Sequence, residues 1–160
     1  MPLTSDTITK AIPYATQLWT AYVDVGQRQH LGQNKNGTRY LIPIIGGHFT
    51  GAPGFEETLS GNIIAGGADR QLVRPDGVKE LDALYDMRLS DGTILTIRNR
   101  VVVDEIRQPN RYAMSMLTVT VEEGVHDWLN RRLIIGTLDS LRPAQNKVII
   151  TAWLLDRNLP

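Results

Sequence analysis

Leu81-Asp82-Ala83-Leu84-Tyr85-Asp86-Met87-Arg88-Leu89-Ser90-Asp91-Gly92-Thr93-Ile94-Leu95-Thr96-Ile97-Arg98-Asn99-Arg100-Val101 is the stretch on which the fold class turns. A two-residue hairpin loop needs left-handed backbone, which favours Asp or Asn followed by Gly, and Asp91-Gly92 stands between two long strand-like runs. Lys79–Leu89 and Thr93–Val103 are therefore expected to pair as one antiparallel hairpin. Pro75-Asp76-Gly77 supplies a second turn just before it, since proline presets its own φ and glycine accepts a positive one.

The same pattern continues on both sides. Apolar and β-branched runs separated by Gly, Pro, Asn or Asp predict further strands at Leu18–Val25, Thr38–Ile45, Glu57–Ala65, Ala68–Arg74, Tyr112–Val121, Arg131–Leu138 and Lys147–Leu155. Gly46-Gly47, Gly51, Gly61, Gly66-Gly67 and Gly136 fall in or beside these runs, as bends or close backbone approaches do. Gln27–Gly37 reads as a polar loop, Asn36-Gly37-Thr38 as a turn, and Gly124–Asn130 as at most one short helical turn. No repeat, low-complexity tract or linker divides the chain, so residues 1–160 are expected to form one domain, with 1–16 as an N-terminal extension.

About nine strands without helices to cover a sheet leave two economical architectures, a closed barrel and a two-sheet sandwich. Leu84, Asp86 and Arg88 alternate with Ala83, Tyr85 and Met87. We read this as polar character on both faces, which a barrel with a wet interior accommodates better than a dry sandwich core. The expected fold is all-β, a single antiparallel closed β-barrel around a ligand-sized cavity.

Bulk properties narrow the function. With 160 residues and 42% hydrophobic content the chain can bury a core unaided. Seventeen basic residues balance seventeen acidic ones, so no net field draws in nucleic acid or an anionic membrane. Cysteine is absent, which removes disulfides and thiolate chemistry and suits a reducing compartment. Met1–Lys10 is polar, Pro13 breaks the next apolar stretch, and no run approaches the length of a membrane span. We therefore expect a cytoplasmic protein with no nucleic-acid or membrane partner.

Motifs for specific chemistry are sparse. Ile45-Gly46-Gly47-His48-Phe49-Thr50-Gly51 superficially resembles a phosphate loop, but no Gly-Lys-Ser/Thr follows and Ala52-Pro53-Gly54 stands where a helix should begin. His30, His48 and His126 share no metal-ligand spacing, so no metal is expected. His48 beside the glycine pair is a candidate general base, since imidazole titrates near neutral pH. Ser60 lacks a nucleophile elbow. Arg98, Arg100, Arg107 and Arg111 form a basic stretch that Asp104 and Glu105 interrupt, as on a solvated strand edge. The central strands also carry Asp69, Arg70, Asp82, Asp86, Arg88 and Arg98. Any of these pointing inward must be paired or shifted in pKa, and groups of that kind serve proton transfer or polar ligands.

Thr38 to Gly51, then Gly66-Gly67-Ala68-Asp69, Asp76-Gly77, Leu89-Ser90-Asp91-Gly92 and Trp128-Leu129-Asn130-Arg131, resemble in order and spacing the family called domain of unknown function 3237 (UPF0311-like). The resemblance runs from about Leu18 to Leu155. It implies a calycin-like, lipocalin-like antiparallel barrel, often a homo-oligomer, with a pocket at one end and no settled activity. It marks His48, Asp69, Asp82, Arg98 and Trp128 as pocket positions. The chain departs from the family pattern at Arg70, where a tryptophan is usual, and at Met114-Ser115-Met116-Leu117, which lacks the usual aromatics. A guanidinium at position 70 favours a carboxylate, phenolate or enolate in the ligand.

The leading functional expectation is a cofactor-independent enzyme of small-molecule metabolism. It would be an isomerase, cyclase or lyase acting by general acid/base catalysis on a partly apolar carbonyl or aromatic substrate. In that expectation His48 or Asp69 moves the proton, Arg98 or Arg70 holds the developing oxyanion, and Asp82 and Trp128 contact the substrate. A non-catalytic carrier of a small apolar ligand and a structural subunit of a homo-oligomer are the alternatives.

Overall fold

The computed structural model describes residues 10–106 and 111–158. Residues 1–9 of the expected extension and Arg107 of the basic stretch lie outside them. Ten strands form: Ile12–Val25 (β1), Gln29–Asn34 (β2), Gly37–Gly51 (β3), Gly61–Ile63 (β4), Gly67–Val73 (β5), Lys79–Leu89 (β6), Ile94–Asp104 (β7), Tyr112–Thr120 (β8), Ile134–Ser140 (β9) and Lys147–Asn158 (β10). Among the described residues the single helical element is a 3₁₀ turn at Asp127–Arg131, ending one residue beyond the expected stretch. Among the described residues no helix is long and apolar enough to cross a membrane.

Every pairing is antiparallel and the hydrogen bonds close on themselves. β1 pairs with β10, which pairs with β9, and the ladder continues through β8, β7 and β6. β6 pairs with β4 and β5, both of these with β3, and β3 with β1. The ring is a closed barrel, and free edges remain where β2 pairs with β3 alone and where the first half of β1 pairs with β10 alone.

β3 makes closure possible because it serves two neighbours on each edge. Its first half pairs with β2 and β5, its second half with β1 and β4. The change comes at Gly46-Gly47, where Gly47 has φ +132° and a Cβ would stand 2.2 Å from the Tyr22 carbonyl oxygen. Only glycine allows that bend and that approach.

Two local expectations are corrected. Gln27–Gly37 is not wholly a loop, because Gln29–Asn34 pairs with Gly37–Leu41. Its residues are polar and mostly exposed, so no apolar alternation marked it; Arg28 instead lies 3.9 Å over the Tyr40 ring, and His30 meets the same ring edge-on. Glu57–Ala65 contributes only the three-residue β4. The segment before it turns on Phe55, whose carbonyl accepts from the Thr58 and Leu59 amides, and Ser60 Oγ accepts from the Gly51 amide at 2.8 Å.

Strand parity is cleaner than the sequence reading allowed. On β6 the inward side chains are Leu81, Ala83, Tyr85, Met87 and Leu89, whereas Glu80, Asp82, Leu84, Asp86 and Arg88 face outward. The barrel closes, but Glu80, Asp82, Asp86 and Arg88 of β6 are the solvated wall rather than a wet lining.

One end of the barrel is filled. Trp19, Phe49, Leu59, Met87, Leu95, Leu117 and Leu129 are almost fully buried there, with Trp19 edge-on to Phe49. Each such side chain contributes about 1.5–3 kcal/mol of burial free energy. The 3₁₀ turn closes this end. Leu129 plugs it, Trp128 stacks near Phe55, and the Asn130 side chain exchanges two 2.9 Å hydrogen bonds with the Val121 backbone.

Candidate functional site

The opposite end is hollow. Smaller or β-branched residues replace the large ones, among them Val25, Ile42, Ala83, Val101, Val103 and Ile150, and they enclose a cavity of about 410 Å³. That is enough for a small organic molecule, since ligand pockets begin near ~300 Å³.

A polar group interrupts the apolar wall at its inner part. Register places Asp69 of β5 opposite Ala83 of β6, and Ala83 opposite Asn99 of β7, so Asp69 and Asn99 stand in one row around a small central residue. Tyr85 lies one inward step deeper on β6. Ser115 takes an inward position on β8, facing Gly136 of β9; a Cβ on Gly136 would fall 2.2 Å from Ser115 Oγ and 3.7 Å from Asn99 Oδ1. Gly136 thus gives Ser115 its space.

Buried polar atoms normally find partners, because desolvating one without compensation costs several kcal/mol. Here Gln71 Nε2 donates to Asp69 Oδ2 at 2.8 Å. Asp69 Oδ1, Tyr85 OH, Asn99 Oδ1 and Ser115 Oγ are buried with no partner among the described residues. Burial pushes the Asp69 carboxyl above its ordinary pKa; the Gln71 hydrogen bond opposes that shift and the charge of Asp82 adds to it. Burial, and then the Asp69 charge, also raise the Tyr85 phenol, which stays a neutral donor at physiological pH.

At its outer end the lining becomes cationic. Among the described residues Arg28, Lys79, Arg111 and Arg142 border the cavity, against Asp69 as the one carboxylate in its wall. Arg111 donates to Glu105 and to the Leu138 carbonyl, and Arg28 lies over Tyr40. Lys79 and Arg142 make no ion pair among the described residues.

Of the six residues singled out from sequence, the interior receives only Asp69. Arg70 follows it and so points outward, where it lines an outer-face groove of about 940 Å³ with Asp82 and Arg100. Asp82 is held there by Arg98 through two hydrogen bonds, at 3.1 and 2.9 Å, and both side chains are nearly half exposed. That pairing lowers the Asp82 pKa and raises that of Arg98. His48 is exposed on β3 and stacks on Tyr22 of β1 at 4.9 Å. Trp128 belongs to the filled end, opposite the cavity. These six residues share no common wall, because neighbours on a strand face opposite sides.

The groove is the larger concavity, yet its charged groups are solvated or already paired. The cavity wall holds three buried polar atoms without partners among the described residues, on Asp69, Tyr85 and Asn99. Tyr85 and Asn99 are the further groups that distinguish it, while the buried Ser115 borders the groove instead; the sequence expectation named none of these three. Two had a legible signal: Asn99 interrupts Leu95-Ile97-Val101-Val103, and Ser115 interrupts Ala113-Leu117-Val119, each on an otherwise apolar strand face. Among the described residues no cluster of three or more His, Asp or Glu is placed to hold a metal ion.

The fold and site define a closed antiparallel barrel, filled at one end and carrying a polar-floored cavity at the other. The chain belongs to the family described as "Protein of unknown function (DUF3237)", whose model matches residues 13–155. It is 46% identical over 72 residues to a UPF0311 protein of Clostridium acetobutylicum. That match spans 43% of this chain and 42% of the relative, less than half the length of either. The barrel itself is similar to a beta-barrel like protein of Acinetobacter baumannii, with TM-score 0.81 at 23% identity over 92% of this chain and 99% of the other. It is also similar to an enzyme from Penicillium herquei, with TM-score 0.69 at 21% identity over 90% and 95%.

Proposed function

We propose that the barrel is a cofactor-independent enzyme that moves a proton on a partly apolar carbonyl or aromatic substrate held in the cavity, as an isomerase, cyclase or lyase does. One observation carries this reading: the buried, unpartnered Asp69 Oδ1 shares the inner part of the cavity with the unpartnered Tyr85 hydroxyl. A carboxylate whose pKa burial has raised is a stronger base than a solvated one and nearer the pH at which it must act. In this reading Asp69 takes a proton from the carbon beside the substrate carbonyl. The phenol of Tyr85 donates to the oxygen on which negative charge develops, and the Asn99 amide orients the same group. Fixed donors in a water-poor cavity serve such a charge better than water does. The description of a fold neighbour as an enzyme is consistent with this reading.

The test is exchange in D₂O. Cyclic and aromatic ketones with an acidic α-hydrogen are incubated with the protein, and deuterium incorporation is followed by NMR. Exchange above the buffer rate is expected for a subset of ketones. Asp69→Asn should slow it by about 100-fold, the scale of one general base. Exchange equally fast in that variant overturns the assignment. The apolar belt around the cavity favours a second reading, a carrier of a small apolar molecule; ketones that bind without exchanging would support it.

A further inference from the structure

The charge arrangement of the cavity specifies a ligand class. Seventeen cations and seventeen anions leave the chain with no net charge, yet four cations and one carboxylate line this cavity. The carboxylate is deep, in the row of Ala83, and the cations are at the outer end, where Lys79 opens β6. Lys79 and Ala83 are four residue steps apart on β6, about 13 Å at the rise of an extended strand. Long Lys and Arg side chains reach across part of that distance. Between the two levels the wall is apolar, with Leu81, Val101, Val103 and Ile150 facing inward.

An anionic group placed deep would meet Asp69, and a cationic ligand would have to pass four like charges. A neutral ligand would leave the Lys79 ammonium and Arg142 guanidinium without counter-charge. The arrangement is matched by an amphipathic organic anion lying along the barrel axis. We propose that the ligand is a carboxylate whose head group is bound at the cationic end by Lys79 and Arg142. Arg28 and Arg111 add to the field there, an apolar body fills the belt, and the carbonyl reaches Asp69 and Tyr85. This inference rests on reading the cavity as the substrate site. It moves the carboxylate recognition expected of the outward-facing Arg70 to a different set of cations.

The probes are ω-oxo-ω-phenylalkanoates with two to six methylenes, each compared with its own methyl ester. Binding to the full chain is measured by calorimetry at low salt, and deuterium exchange is read in parallel samples. At least one acid should bind about tenfold more tightly than its ester, the scale of a charge-assisted contact. The preference should shrink in 0.5 M NaCl, since exposed charges are screened. It should disappear in Lys79→Ala/Arg142→Ala and return in Lys79→Arg/Arg142→Lys. Equal binding of acid and ester, a preference that survives the double alanine variant, or no binding by any acid at millimolar concentration each overturn the proposal. Acid preference without exchange supports it while removing the catalytic reading. Exchange without acid preference does the reverse.

Discussion

Asp69 and Asn99 face each other across Ala83, on three consecutive strands of the wall and in one row, and the small size of Ala83 leaves the space between them. A closed barrel pins that row from both sides through its ladder. The cavity floor is therefore a property of register, and changes at three adjacent positions can test it separately.

Ala83→Leu should fill the floor without disturbing the wall. Because the new side chain enters a cavity rather than a packed core, its stability cost should fall at or below the low end of the ~1–3 kcal/mol typical of overpacking. Binding of any ligand that reaches Asp69 should be lost, with the near-UV circular dichroism of the folded protein retained. Unchanged ligand affinity would show that the floor is not occupied.

Asp69→Asn should make the protein more stable at neutral pH. The folded-state pKa of Asp69 is raised by burial, so the folded state holds its proton to higher pH than the unfolded chain does. Its stability contribution is complete below the unfolded value, near 3.8, and is lost as pH rises through the folded value. The amide keeps an oxygen for Gln71 and carries no charge to desolvate. Urea midpoints should be higher for the variant at pH 7 and converge with the wild type near pH 4. A lower midpoint at pH 7 would contradict a buried, penalised carboxylate.

Gly136→Ala should be costly, and Ser115→Ala should rescue it. The added Cβ would meet Ser115 Oγ at 2.2 Å but Ser115 Cβ at 3.6 Å, so removing the hydroxyl removes the clash. The single glycine change should cost about 1–3 kcal/mol. Ser115→Ala alone should be close to neutral, because its hydroxyl is buried without a partner. The double variant should lie near Ser115→Ala in a denaturation cycle. Additive costs would place the strain elsewhere.

Asp91 ties the hairpin turn to the filled end. It accepts from the Thr93 amide at 2.9 Å and pairs with buried His126 at 2.8 Å, and these contacts, the Thr93 amide first, lower its pKa to about 2. Such a group stabilises the fold above its unfolded pKa, near 3.8, and ceases to do so as pH falls through about 2. Stability should therefore decline between those values, and Asp91→Asn should flatten that part of the profile. At neutral pH the variant should lose about 1 kcal/mol, the scale of one hydrogen bond. Fluorescence-monitored acid titration of both proteins decides it.

Trp128→Ala should separate stability from binding. The side chain covers the filled end beside Phe55, so its removal should cost about 2 kcal/mol of buried area while leaving cavity affinity unchanged. Arg98→Ala should leave stability nearly unchanged, as loss of an exposed ion pair does, with the same indifference in binding. Loss of binding in either variant would move the site away from the cavity.

Asp91-Gly92 announced the β6–β7 hairpin, and Gly46-Gly47 announced the bend that lets β3 serve both halves of the wall, because the positive φ of Gly92, Gly46 and Gly47 excludes most other residues. Asp91 itself is not left-handed, and the loop is Ser90-Asp91-Gly92 between the paired Leu89 and Thr93. Nine of the ten strands, their antiparallel order and the lack of long helices among the described residues were legible for the same local reason. β2 was not, since a polar strand exposed on both faces carries no alternation to read.

The site was legible only in part. The chain's order of residues decided which side chains share a strand face, and a strict two-residue reading would have separated Asp69 from Arg70 and drawn attention to Asn99 and Ser115 as polar interruptions. It could not decide which face becomes the interior, because that depends on how the sheet curls. Nor could it bring Arg28, Lys79, Arg111 and Arg142, distant in sequence, to one end of the barrel. Those placements follow from ring closure, where the register of each strand is set by its neighbours on both sides, and so they belong to the tertiary structure alone.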